Sequence, residues 1–193
     1  RAIKVIQARR ETKENLETPE IQEVVGLVLE YNLAYLRQAL HLGSPADIVN
    51  FGDDWGCQDR CMISPATFRR YFKPGYTAMY ALCKQYGALT TQHSDGYTVD
   101  LWDEFLEAGL TAFNMQVNCV GVATIERRLK GRMCIIADID RQYIVPFGGP
   151  ADVRAHIAEV VTGLGSPRGG LVLRIDIYPD APLANIEALL AAV

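Results

Sequence analysis

Residues 88–115 read ALTTQHSDGYTVDLWDEFLEAGLTAFNM, and the way this stretch divides decides the fold. Ala88 to Gln92 is a short β-prone run, and Val99 to Ala108 has apolar residues at helical spacing and is closed by Gly109. Leu110 to Met115 is a second apolar run of strand length. Strand, helix and strand in succession make the crossover unit that joins parallel strands. The unit repeats in both directions. Upstream, Asp47 to Gly52 (DIVNFG) is a strand, and Ser64-Pro65 starts a helix that bends near Pro74 and ends at Gly87. Downstream come a helix over Ala123 to Lys130, a strand over Met133 to Ala137 and a helix over Pro150 to Thr162. A strand over Leu171 to Ile175 and a helix over Leu183 to Ala192 complete the series.

Ahead of these units, Thr18-Pro19-Glu20 offers a capping hydroxyl, a proline for the first helical position and an early acid. Ile21, Val24, Val25, Val28, Leu29, Leu36 and Leu40 continue at helical spacing until Gly43, predicting a long amphipathic helix over about 19 to 42. Residues 1–18, charge-dense after Ala2, Ile3, Val5 and Ile6, receive no assignment. Five strands alternating with helices make the class α/β. No low-complexity linker divides the chain, so 1–193 is read as one domain. The chain opens on Arg1 and closes on Val193 after the apolar run Ala188 to Ala192, from which processing or membership of a longer protein is expected.

Composition narrows the function. A hydrophobic share of 49% with 22% charged residues is that of a folded domain, and no apolar run approaches the roughly 20 residues of a membrane span. Net charge is −4, which gives no electrostatic support to a nucleic-acid or anionic-membrane role. Five cysteines, Cys57, Cys61, Cys83, Cys119 and Cys134, contain no C-x-x-C pair, and a reducing cytoplasm is expected. One local exception to the acidity is Arg127, Arg128, Lys130 and Arg132. The plain reading is a solvated helix end; the alternative is an anion site.

Ligands of parallel α/β folds bind at the carboxyl ends of the strands. Here those ends read Asp53-Asp54-Trp55, Gln92-His93-Ser94-Asp95, Gln116 with Asn118, Asp138 with Asp140, and Arg174 with Asp176. The opposite ends read Pro45-Ala46, Tyr86-Gly87, Gly109, Gly131-Arg132 and Gly169-Gly170. Single acids after strands commonly cap turns, but five polar strand ends together place a site. Successive residues point opposite ways, so one of Asp53 and Asp54 faces the site while the other caps a loop. His93-x-Asp95 supplies two ligands for a metal such as zinc, with an acid from another strand as a third. His41 and His156 fall in helices, where packing or solvation is the default. The run Gly163 to Gly170 precedes a strand rather than joining strand to helix, the wrong order for a dinucleotide or phosphate loop, and reads as a flexible turn.

Five ordered motifs carry a resemblance. Phe51-Gly-Asp-Asp-Trp-Gly56, Met62-Ile-Ser-Pro65 with Phe72-Lys-Pro74, and Gln92-His-Ser-Asp-Gly96 come first. Ile139-Asp-Arg-Gln142 with Pro146-Phe-Gly148, and Tyr178-Pro-Asp-x-Pro182 with Asn185-Ile186, follow. From about residue 20 to 193 the chain resembles the carboxyl-terminal part of the uroporphyrinogen decarboxylase superfamily, which includes the decarboxylase of haem biosynthesis and the cobamide-dependent methyltransferases. The resemblance implies a (β/α)8 barrel of which about five β/α units are present, incomplete at the amino terminus. In the methyltransferase branch the motif at this point is His-x-Cys with a later Cys, which bind zinc. His93 matches, Asp95 stands for the first cysteine and Ile175 for the second. In the decarboxylase branch a histidine stands near Arg174-Ile175-Asp176, and the essential aspartate lies in an amino-terminal portion.

The expected function is a corrinoid-linked methyltransferase or divergent relative, with His93, Asp54 and Asp140 as catalytic groups and His93 with Asp95 as metal ligands. Asp53, Gln92, Asp138, Arg174, Asp176 and Tyr178 are the expected substrate-binding residues. Expected partners are a small-molecule substrate and a corrinoid protein, with an oligomer allowed. Uroporphyrinogen decarboxylation is the alternative, against which Asp53-Asp54 add negative charge to a pocket for a polyanion. A non-catalytic partial barrel that binds a partner is the third reading.

Overall fold

A computed structural model of the chain describes residues 19–42 and 45–192. The capping residue Thr18, the helix stop Gly43, the apolar patch near the amino terminus and Val193 lie outside the described residues. The elements are α1 (Pro19–Leu42), β1 (Ile48–Gly52), α2 (Pro65–Tyr71), α3 (Lys73–Gln85), β2 (Leu89–Ser94) and α4 (Trp102–Ala108). There follow β3 (Ala112–Gln116), α5 (Val117–Val120), α6 (Val122–Leu129), β4 (Cys134–Asp138), α7 (Ile144–Phe147), α8 (Pro150–Leu164), β5 (Leu171–Arg174) and α9 (Leu183–Ala191).

The five strands form one parallel sheet in chain order, β1-β2-β3-β4-β5. Strictly sequential order with helical connections lays every helix on the same face, and the sheet curls about the other, which is the geometry of the (β/α)8 barrel. The two faces differ in chemistry. Phe51 packs on Tyr80 of α3 at 5.2 Å and Phe113 on Phe105 of α4 at 5.3 Å, so these strand positions face the helices. Their neighbours point the other way: Gly52, His93, Asn114 and Ile136 stand side by side across β1 to β4 on the concave face. The central strands are sequestered, and β3 (AFNMQ) is buried at all five positions.

The helix layer is anchored by aromatic rings. Trp55, Phe68, Phe72, Tyr76 and Phe105 meet edge-to-face, tilted or, for Phe68 and Tyr76, stacked, at 4.8–6.3 Å, and Phe68 and Phe105 have no exposed surface. Glu104 of α4 ties this layer together. It accepts from Arg69 of α2 and, at 2.8 Å, from Lys73 of α3.

Several boundaries differ from the sequence reading. The helix expected from Ser64 to Gly87 is two, broken at Phe72 so that Pro74 falls in the first turn of α3, where its missing N–H costs nothing. The helix expected from Val99 begins with a 3-10 turn over Val99–Leu101. β2 ends two residues later than expected, so His93 and Ser94 belong to the strand. The four-residue helices α5 and α7 lie in loops where no helix was expected. No helix among the described residues is long and apolar enough to cross a membrane.

Candidate active site

Asn114, in the middle of β3, is a polar residue on a buried strand, and its amide connects four strands. Its Nδ2 donates to Ile136 O at 3.0 Å and to Asp138 Oδ1 at 2.5 Å. Both partners are pure acceptors, which fixes the orientation of the amide and leaves Oδ1 facing His93 and Arg174. Arg174 Nη1 donates to Oδ1 at 2.6 Å, and His93 Nδ1 lies 2.6 Å from the same oxygen. An amide oxygen only accepts, so Nδ1 carries the proton. The 3.3 Å approach of Arg174 Nη1 to Nδ1 is therefore two donors sharing one acceptor. His93 Nε2 is directed away from the network.

Nε2 faces two carboxylates. Asp95 Oδ1 is 3.5 Å away and Asp54 Oδ1 3.9 Å, and one ligand atom from each of Asp54, His93 and Asp95 lies within 4.8 Å of the others. Tetrahedral bonds of about 2.1 Å put ligand atoms about 3.4 Å apart, near the 3.5 and 3.9 Å separations from Nε2, so the three could hold a single divalent ion. Two loops cross to make this cluster. Asp95 N–H donates to Asp54 Oδ1 at 2.9 Å, and Trp55 N–H to Ser94 Oγ at 2.9 Å. At the crossing a Cβ on Gly56 would stand 2.6 Å from Asp95 O, and one on Gly96, whose φ is +77°, 2.4 Å from Cys57 O. Only glycine lets the two backbones come so close.

A second set of charges closes the mouth. Arg141 Nη2 donates to Asp95 Oδ1 at 2.7 Å and Nη1 to Asp176 Oδ2 at 2.8 Å, while its Cζ lies 6.0 Å from the Tyr178 ring. Arg174 Nε donates to Asp176 Oδ1 at 3.3 Å. Asp138 Oδ2 is buried without a partner. Burial pushes the Asp138 carboxyl above its ordinary range, against the opposing pull of Asn114 and the two guanidinium groups.

The sequence-predicted residues fall into two groups. Asp54, His93, Asp95, Asp138, Arg174, Asp176 and Tyr178 come together at the strand ends, directly or through Asn114 and Arg141. Gln92 faces the helices, accepting from Tyr80 Oη at 3.0 Å, because the strand alternation that turns His93 inward turns Gln92 outward. Asp53 accepts from the Tyr76 hydroxyl of α3. Thus of the acidic pair Asp54 faces the cluster. Asp140 Oδ1 accepts the N–H groups of Gln142 and Tyr143 at 2.8 and 2.9 Å, and Asp140 N–H donates to the buried His156 Nε2 at 3.2 Å. It shapes the loop that carries Arg141. Asn114 and Arg141 were not among the sequence candidates. The signal for Asn114 is an amide inside an apolar strand of a buried sheet, which demands partners; the signal for Arg141 is its place in the Ile139-Asp-Arg-Gln142 motif, from which no role was read.

A sequentially ordered parallel sheet with its polar cluster at the carboxyl ends of the strands is of the (β/α)8-barrel class. Within that class, the chain belongs to the uroporphyrinogen decarboxylase (URO-D) family, whose family model matches residues 11–193. Among solved structures it is similar to a methyltransferase from Methanosarcina mazei, with a TM-score of 0.63 and 19% identity over 85% of this chain. It spans 46% of that methyltransferase, less than half its length. Yersinia pestis DHPS with a pterine-sulfa conjugate is also similar, with a TM-score of 0.52 and 17% identity over 84% of this chain and 62% of that one. So is a dihydropteroate synthetase with its product, with a TM-score of 0.53 and 16% identity over 84% and 61%. At these identities the likenesses establish the fold. Compared directly with curated protein sequences, the chain matches none.

Proposed function

We propose that the chain forms the metal-binding mouth of an enzyme that moves a methyl group between a corrinoid and a small acceptor such as a thiol. The observation that carries this reading is the orientation of His93, with Nδ1–H held by Asn114 and Nε2 turned to Asp54 and Asp95. One imidazole nitrogen and two carboxylates suit zinc, with a position left for a substrate atom. Bound there, the ion would lower the pKa of a coordinated thiol or water. The similarity to the Methanosarcina mazei methyltransferase supports the reading.

The chain's own groups then have distinct tasks. Asn114 sets the His93 tautomer. Arg141 holds Asp95 and Asp176 apart from each other's charge and competes with a metal for Asp95 Oδ1, so binding the ion requires the guanidinium to shift or Asp95 to use its other oxygen. Both arginines at the mouth are already engaged with carboxylates or Asn114, so a polycarboxylate porphyrinogen would have to displace these partners to be received by them.

The test is metal content together with methyl transfer from methylcobalamin to a thiol. The expected result is one divalent ion per chain after zinc reconstitution, lost with the transfer activity in His93→Ala. Absence of stoichiometric metal, with transfer unaffected by His93→Ala, sinks the reading. Formation of coproporphyrinogen from uroporphyrinogen would replace it with the decarboxylase.

A further inference from the structure

Two sequence features that the strand-end site leaves unused meet at the opposite end of the sheet. The basic residues that close α6 and the glycine-rich turn before β5 border one cavity of about 430 Å³. Lys130, Arg132, Ser166, Arg168 and the Gly169–Gly170 backbone contribute to its wall, and no carboxylate lines it among the described residues. That size exceeds a bare inorganic anion and falls within the range of small-molecule sites.

The charges around the cavity do not cancel. Lys130 Nζ donates to Glu126 Oε1 at 3.1 Å and to Gly163 O at 2.6 Å. Asp103 is shared, accepting from Arg128 at 3.0 Å and from Arg132 at 2.9 Å. Two carboxylates, both outside the wall, thus serve three cations. Arg168 adds a fourth: its main-chain N–H reaches Ser166 Oγ at 3.3 Å, but its guanidinium has no partner among the described residues. In a chain of net charge −4 this hollow concentrates positive charge. The main chain is also accessible. Gly169 and Gly170 have φ of +82° and +94°, with open space where a Cβ would stand, so an anion can approach the turn, whose Gly169 N–H is held by Ser166 O at 2.9 Å.

We propose that this cavity binds a phosphorylated small molecule, whose phosphoryl oxygens meet Arg168, Arg132 and Lys130 while the rest of the ligand occupies the hollow. A single carboxylate would satisfy one guanidinium fork and leave the other cations unused, whereas a phosphoryl group offers several oxygens and up to two charges. The site is independent of the strand-end chemistry.

Calorimetric titration of the protein with inorganic pyrophosphate at low salt tests this, with citrate as a non-phosphoryl anion of high charge. The expected result is one saturable site, at least tenfold weaker in Arg168→Glu, with the amide resonances of Gly169 and Gly170 shifting on addition. Arg168 is exposed in a turn, and Ser166→Ala provides a milder second variant, expected to weaken binding several-fold. Equal affinity in Arg168→Glu overturns the proposal. So does citrate binding as tightly as pyrophosphate, or resonance shifts confined to the strand-end loops.

Discussion

Asn114 Oδ1 receives two donors, and its Nδ2 is committed to two acceptors, so the amide cannot turn over without breaking every one of these bonds. Asn114→Leu keeps the volume and removes the polarity. In that variant Asp138 Oδ1 and Arg174 lose their partner inside the sheet, at a cost of about 1–3 kcal/mol read by thermal unfolding. Nitrogen chemical shifts of the His93 ring report the tautomer directly: Nδ1–H in the native chain, a mixture in Asn114→Leu. If the proposed metal site holds zinc, affinity for the ion should fall about 10- to 100-fold with it, as for other partners that orient a ligand. The opposite tautomer in the native chain refutes the assignment. At this scale the sequence was legible where a residue announces itself by type. Asp54, His93 and Asp95 were singled out because polar groups close every strand at the same end, whereas Gln92, expected beside them, faces the helices because the alternation that turns His93 inward turns its neighbour outward. A strand has a period of two, so its phase decides which side chains reach a ligand.

Between elements, Glu104 is the polar joint of the helix layer. It is nearly buried on α4 and receives Arg69 from α2 and Lys73 from α3, and Lys73 also reaches Glu107. The bond to Arg69, with that to Lys73, holds the Glu104 carboxyl below its ordinary value of 4.5. A lowered folded value means that the unfolded chain binds the proton more readily. The contribution is therefore present above pH 4.5 and disappears as pH falls through the depressed value. Glu104→Ala is expected to lower stability by about 1–2 kcal/mol at neutral pH, since Arg69 is left in solvent but Lys73 loses a buried partner. Denaturant unfolding of both proteins between pH 3 and pH 7 checks it: the gap should close toward the acid end, and a constant gap excludes the ionic origin. The helices themselves were legible from capping and spacing, with α3 starting at Lys73 because Pro74 fits only a first turn. The 3-10 turn before α4 and the short α5 and α7 were not, since three or four residues hold too little periodicity to register.

Across the whole molecule, the alternation of strands and helices was readable, and so was the polar end of the sheet. What no local pattern could reveal was contact between distant loops. Gly56 meets Gly96 and Arg141 meets Asp95 only because the barrel-type curvature brings the strand ends to one point. Burial also grades across the sheet: β3 is covered at every position, while β1 and β5 have no fully buried position. Amide hydrogen exchange should follow that gradient, slowest in β3 and fastest along the outer edges of β1 and β5, because protection tracks local opening. Uniform protection across all five strands would show instead that the sheet opens only as a unit.

The order of the sheet has a temporal side. Ile48 pairs with Leu89, Thr91 with Ala112, Ala112 with Cys134 and Ile135 with Leu171, so each strand finds its partner in the segment made just before it. The loops to be closed are about 20 to 40 residues, and closure entropy rises by only about 0.6 kcal/mol for each doubling of length. Among the described strands, none has to wait for a distant one. As the chain leaves the ribosome, each new strand can dock on the finished edge of the last, and His93 is in place before Arg174 has been synthesised.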